Sequence, residues 1–294
     1  MASTDAPPLG SPLSRAPSPL LVLGAIGSVQ LGSAIASTLF ARIGPGGAVL
    51  LRLVSASVVL LAISRPRLRG RTRRQLILAA GFGLVLAAMN LSFYEALHRI
   101  PLGIAVTIEF IGPLAVGVAG TRRRLDLVWI GLAAVGILAL AHGDARGIDA
   151  LGAGLALLAG CMWGAYILVN ARVGRAFEGG SGLALAMIVA SIAALPAGVV
   201  EGGAHLLTPH ALVVGTAVGM LSSAIPYSLE MEALRRMSTS LFGVLMSLEP
   251  GVAALAGFVI LGQNLSERQL IGVALVVAAS VGASRRARNP PLAV

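Results

Sequence analysis

The sequence predicts an all-α polytopic membrane protein of ten transmembrane helices, arranged as two inverted repeats of five. Three observations predict it. The 294 residues have a mean hydropathy of +0.89, with 56% hydrophobic and only 12% charged side chains, far from the usage of a soluble domain. Apolar runs long enough to cross a hydrocarbon core of about 30 Å, which takes about 20 helical residues, recur along almost the whole chain. Residues 94–120 also reappear, altered but aligned, as residues 231–257.

The elements follow in order. Residues 1–19, "MASTDAPPLGSPLSRAPSP", are rich in Pro and Ser and lack an apolar period, so they read as a disordered tail. The "AIA" at 34–36 faintly resembles a signal-peptide cleavage site, but the long apolar segment and the many spans after it make an uncleaved first helix the simpler reading. The spans are 20–40, 45–64, 75–97, 102–121 and 126–142 in a first repeat, 20–142, and 150–171, 181–200, 210–234, 239–262 and 268–284 in a second, 150–284. Residues 285–294 form a C-terminal tail. Short connections fit a bundle in which each helix satisfies its own backbone polar groups within the lipid.

Orientation comes from arginine, since the chain has no lysine. Seventeen of its 22 basic residues fall on one side of the ten spans, which by the positive-inside rule puts both termini in the cytoplasm. An even number of spans agrees. The stretch "RPRLRGRTRR", 65–74, then reads as a topology anchor against anionic headgroups. The net charge of +10 therefore predicts a lipid-bilayer partner and no nucleic acid. The single Cys161 excludes an intramolecular disulfide and a cysteine-based metal cluster. His98, His142, His205 and His210 all fall at span ends or loops, and no HExxH or GxSxG occurs. No metal, no cofactor and no enzyme is predicted.

The repeat is specific. A constant offset of 137 pairs Glu95 with Glu232, Ala96 with Ala233, Leu97 with Leu234, Arg99 with Arg236, Pro113 with Pro250 and Gly120 with Gly257. Beyond a four-residue insertion, "IGLAAVG" (130–136) pairs with "IGVALVV" (271–277). An odd number of spans per unit makes the second copy start from the opposite side of the membrane. Inverted repeats of this kind give alternating-access transporters their two nearly equivalent conformations, with the substrate site near the midplane.

Two carboxylates fall at that depth. Glu109 sits inside "PLGIAVTIEFIGPLAVGVAG" (101–120) and Glu249 inside "VLMSLEPGVAAL" (244–255). An ionisable group at a helix centre costs on the order of 2.5–3.5 kcal/mol on insertion scales, so a pair at quasi-equivalent depth implies use. Glu249 is the register mate of Gly112, which is three residues from Glu109 and on the same helical face. Each acid lies beside a helix-breaking proline. Pro113 removes the partner of the Glu109 carbonyl, and Pro250 that of Met246. Freed carbonyls next to a carboxylate suit a cation or an ammonium group; the alternative is a pair of structural kinks with the acids held by protein donors.

Other candidates are weaker. Arg52, in "AVLLRLVSASVVLLA", is the arginine deep in a span; it can bind a substrate carboxylate, neutralise a glutamate, or snorkel to the interface. Trp163, Tyr166 and Tyr227 can line a pocket or act as interfacial anchors. Glu95, Glu230 and Glu232 lie near span ends beside basic residues and read as interfacial, while "GCMWG" (160–164) is a GxxxG pattern for close helix contact.

Taken with the five-plus-five repeats, "LGQNLSERQLIGVALVVAASVG" (261–282) resembles the EamA-type drug/metabolite transporter superfamily. Within it, "IPLGIAVTIEFIGPLAVG" (100–117), "AIPYSLEMEAL" (224–234) and "FGVLMSLEPGVAAL" (242–255) look like the bacterial threonine/homoserine exporters. The resemblance covers roughly residues 20 to 285 and implies proton-coupled efflux of small amino acids across the bacterial inner membrane. By motif it points to Glu109 with Pro113 and Glu249 with Pro250. The chain departs from the superfamily at Gln263, where a glutamate is common.

The predicted mechanism has the substrate ammonium at Glu109 or Glu249 and its carboxylate at Arg52, one glutamate holding a proton until the ammonium displaces it. The partners are thus an amino acid and protons; monomer and homodimer both stay open. The alternatives are another small metabolite or drug, or a non-transporting membrane protein. An aromatic content of 4% weighs against a cationic drug.

Overall fold

The computed structural model describes residues 17–66, 70–119, 126–141, 149–177, 181–234 and 245–286. Twelve α-helices are described among them: α1 Ser18–Ser37, α2 Phe40–Ser64, α3 Arg73–Arg99, α4 Leu102–Glu109, α5 Ile111–Ala119, α6 Asp126–Ala141, α7 Ala150–Ala176, α8 Ser181–Gly202, α9 Pro209–Gly219, α10 Ile225–Leu234, α11 Glu249–Leu261 and α12 Glu267–Arg286. A 3₁₀ turn, Gly203–Leu207, precedes α9, and a π turn, Met220–Ala224, joins α9 to α10. Of these, α1, α2, α3, α7 and the run Ser181–Leu207 are long and apolar enough to cross a bilayer unaided. The described part of each predicted span is mostly helical, with turns at 38–39, 110 and 247–248, and parts of the expected tails and of the 102–121, 126–142 and 239–262 spans lie outside the described residues.

Local chemistry sets the helix ends. Thr72 and Gln75 form a reciprocal capping box at the start of α3. Asp149 caps α7 through Gly152 N–H at 2.7 Å, and Thr208 with Pro209 opens α9. In α2 the chain kinks at Gly44, whose φ of +68° suits glycine. Pro45 follows, and the Glu201 carboxylate of α8 accepts from Gly46 N–H at 2.6 Å. The helix runs on either side of this kink from Phe40 to Ser64, starting five residues earlier than the span predicted from 45.

Helix packing crosses between the two halves of the chain. α2 packs on α8 and α9, α3 on α7 and α8, α1 on α10 and α11, α4 on α7 and α11, α5 on α7, and α6 on α12. Lipid tails are as apolar as leucine, so close van der Waals contact rather than water exclusion holds such helices together. Small residues supply it. A Cβ on Gly83 of α3 would fall 2.4 Å from Ala186 O of α8, and one on Gly198 of α8 2.6 Å from Leu50 Cβ of α2. Large apolar side chains such as Ile63, Val200 and Val213 point outward instead, as expected for a lipid-facing surface.

Candidate functional site

Three prolines interrupt three helices around the centre of the bundle. Pro113 lacks the N–H that Glu109 C=O needs, and the helix breaks at Phe110 between α4 and α5. In the second half the chain turns at residues 247–248 and α11 starts at Glu249, with Pro250 next. Glu249 thus stands at a helix N-terminus, where the backbone dipole favours negative charge. Pro226 frees Ser222 C=O inside the π turn. The i−4 rule that flagged Pro113 and Pro250 applies equally here, and it is the signal that finds this third break.

Glu109 C=O faces the backbone of α7: a Cβ on Gly160 would lie 2.5 Å from that oxygen. Ser222 C=O accepts from Arg52 Nη2 at 3.0 Å.

Arg52 does not snorkel. It is buried in the bundle, where Nε donates to Ser223 Oγ at 3.3 Å and Nη1 to Tyr94 Oη at 3.2 Å. Its guanidinium lies 5.4 Å from the centre of the Tyr94 ring. A guanidinium has five N–H donors, so one on each terminal nitrogen remains after these three bonds. Both described ion pairs belong to Arg99, so among the described residues Arg52 touches no carboxylate directly.

Two acids, Glu109 and Glu249, are also buried in the bundle. Gln30 of α1 donates to Glu249 Oε1 at 3.1 Å. Glu230, expected at the interface, is half-buried. Glu95 does behave as expected, pairing with Arg99 at 2.8 Å near the end of α3.

Of the aromatic candidates, Trp163 stands edge-on to Phe110 at the α4–α5 break, ring centres 5.6 Å apart, and Tyr166 packs on Phe82 at 5.3 Å. The Tyr227 side chain lies outside the described residues, as does that of Glu232. The "GCMWG" motif is a genuine contact: a Cβ on Gly112 would fall 1.7 Å from Gly160 O, and one on Gly164 3.4 Å from Gly112 O. Gln263 accepts from Leu102 N–H at 3.0 Å, capping α4 as a neutral group. Sequence reasoning missed Gln30, Tyr94, Ser222 and Ser223.

Residues 150–285 match the EamA-like transporter family. Across 276 residues the chain is 41% identical to the threonine/homoserine exporter RhtA of Salmonella typhimurium strain SL1344, with 92% of each protein covered. The chain belongs to the EamA-like transporter family. The RhtA protein of Escherichia coli K12 is 39% identical to this EamA-like transporter over 274 residues, again with 92% of each covered. A crystal structure only 17% identical shares the fold, with a TM-score of 0.63 over 92% of this chain and 98% of its own. The family assigns the chain to transport and not to catalysis.

Proposed function

We propose that this EamA-like transporter exports small amino acids of the threonine and homoserine type across a bacterial inner membrane, in exchange for protons. The observation that carries the reading is the burial of one cation and two acids in the same bundle: Arg52 with spare N–H donors, and Glu109 and Glu249. A zwitterion is the complement of that pattern. Its carboxylate suits a guanidinium, which can bind it bidentately, and its ammonium suits a carboxylate. The names of relatives 39–41% identical over 92% of the chain agree with it.

The ten-span inverted-repeat reading is part of the proposal and is supported by the packing. Counting α4–α5 as one span and α9–α10 as another, exchange of the two halves turns the most extensive pairings into one another. Span 3 on 6 becomes 8 on 1, 3 on 7 becomes 8 on 2, and 4 on 6 becomes 9 on 1; spans 2 and 7, 4 and 9, and 5 and 10 pair with each other. Residues 20–142 and 150–284 are then the two units, with the termini cytoplasmic.

In this mechanism a protonated carboxyl, Glu109 or Glu249, occupies the site without substrate, because a low-dielectric interior disfavours an isolated charge. The arriving ammonium takes the place of that proton, which leaves to the cytoplasm. Rocking of one repeat on the other carries the zwitterion out, and the carboxyl is reprotonated from outside. The test is uptake of labelled threonine and homoserine into inside-out vesicles with an acid interior. Gradient-driven uptake by the intact protein, lost in Glu109→Gln or Glu249→Gln, is expected. No uptake by folded protein would remove the substrate assignment; uptake indifferent to the gradient would remove the proton.

A further inference from the structure

Two polar groups on facing helices are each only half satisfied. Gln30 Nε2 of α1 donates to Glu249 Oε1 at the start of α11, at 3.1 Å. The other atom of each group, Gln30 Oε1 and Glu249 Oε2, has no hydrogen-bond partner among the described residues. Gln30 is 1% exposed and Glu249 5%, so bulk water does not serve them. Packing fixes the pair. α1 lies on α11, and Ile26, one turn before Gln30 on the same face, joins an apolar cluster with Met246 and Val252, three residues to either side of Glu249. Ser33 Oγ and Ser222 Oγ also lack partners, but Ser222 meets α1 at Gly32, on another face, and stays outside this pair.

An amide oxygen only accepts hydrogen bonds, and so does each oxygen of an ionised carboxylate. Two acceptors cannot bond one another, and a buried acceptor left alone is unfavourable. One proton on Glu249 Oε2 changes this. Oε2–H then donates to Gln30 Oε1 beside the existing bond from Nε2 to Oε1, and a single hydrogen serves both atoms. None of the described hydrogen bonds ends on the Glu109 carboxyl, and among the described residues neither acid has an ion-pair partner. The titratable residues on the helices around α11 are Glu109 on α4, Tyr227, Glu230 and Glu232 on α10, and Glu267, Arg268, Arg285 and Arg286 at the two ends of α12; α1 has none.

We propose that the proton exchanged for substrate is carried on Glu249 Oε2, and that Gln30 is the positioning residue that holds it there. The inference rests on the proton exchange proposed above and selects one of its two acids. Both states of Glu249 are provided for: the amide oxygen of Gln30 suits the acid, and the N-terminus of α11 suits the carboxylate. The Glu249 carboxyl gives up one proton to the cytoplasm as the substrate ammonium takes its place, and the incoming zwitterion adds no net charge.

The test uses the full chain in liposomes and two readouts. Infrared difference spectra on adding threonine should show the loss of a protonated-carboxyl C=O band. That band should persist in Glu109→Gln, be absent in Glu249→Gln, and move to higher frequency in Gln30→Leu, where the two bonds that lower it are gone. In Gln30→Leu, threonine transport is then compared in two modes. Threonine–threonine counterflow needs only substrate-loaded states, whereas gradient-driven uptake must pass through the protonated one. Gradient-driven uptake should fall relative to counterflow by about fivefold, the worth of one hydrogen bond. A merely structural glutamine would lower both modes together; that result, or a band lost in Glu109→Gln and kept in Glu249→Gln, would overturn the assignment. Gradient-driven uptake by an intact protein without any such band would also overturn it and leave proton exchange standing. Uptake indifferent to the gradient would overturn both.

Discussion

Arg52 shows what a single residue has to satisfy in this interior. Its guanidinium ties α2 to Tyr94 of α3 and to Ser222 and Ser223 of the π turn, and in the proposed mechanism it also receives the substrate carboxylate. Lysine keeps the charge but presents a compact ammonium with three donors and no planar fork. Arg52→Lys is therefore expected to reduce threonine transport by at least about tenfold, the discrimination a bidentate contact commonly supplies. Tyr94→Phe removes only one of the three bonds, and the loss should cost about 1 kcal/mol of stability with transport retained. Thermal unfolding in detergent and counterflow rates, measured on both variants, check the pair. Equal transport loss in both would make Arg52 a structural anchor instead of a substrate ligand. Arg52, Glu109 and Glu249 were legible in the sequence because a charge in an apolar run is expensive and so conspicuous. Gln30, Ser33 and Ser222 were not, since neutral polar side chains cost far less in a helix and do not stand out; only their burial without a hydrogen-bond partner among the described residues marks them.

At the scale of the element, the helix breaks decide where the acids sit. Without an N–H at position 113, α4 stops at Glu109 and α5 starts at Ile111, and the freed carbonyl rests against Gly160 of α7. Pro113→Ala restores the donor and favours one continuous helix through 110, which would swing the Glu109 side chain relative to Arg52. Transport is expected to fall by about tenfold while stability holds or rises, because a helix-interior proline costs about 3 kcal/mol. Gly112→Val acts on the same element in the opposite way. A Cβ there would lie 1.7 Å from Gly160 O, so α5 must separate from α7, a cost of about 1–3 kcal/mol for an overpacked contact that should appear as a lower unfolding temperature. A stable, active Gly112→Val protein would show that the α5–α7 contact is dispensable. The break at Phe110 followed from one backbone rule read off the sequence. The π turn at Met220–Ala224 did not, because a π turn depends on how neighbouring helices hold the segment as much as on Pro226 itself.

In the proposed mechanism the site lies between the two halves of the chain, each of which supplies part of it. Arg52, Tyr94, Glu109 and Gln30 come from the first repeat; Ser222, Ser223, Glu230 and Glu249 come from the second. The packing is similarly shared, since the partners of α2, α3, α4 and α6 include α8, α7, α11 and α12. The internal sequence repeat was legible through residues such as Glu95 with Glu232 and Pro113 with Pro250, because pairs at one offset over a long stretch outweigh the permissiveness of apolar sequence. How the halves interleave was not legible, since periodicity says which face is apolar and not which helix meets it. Interleaving makes a prediction of its own. If the chain is severed at residue 145, between the two repeats, the fragments 1–145 and 146–294 expressed together should reassemble in the membrane and export threonine, because every helix finds its partner in the other fragment and the bilayer confines both to one plane. Either fragment alone should export nothing, having Arg52 without its serine acceptors or Glu249 without Gln30. Threonine export by cells carrying one fragment or both, with each fragment's abundance followed by a tag, checks this. Export by the second fragment alone would place the transport site within a single repeat and end the shared-site mechanism.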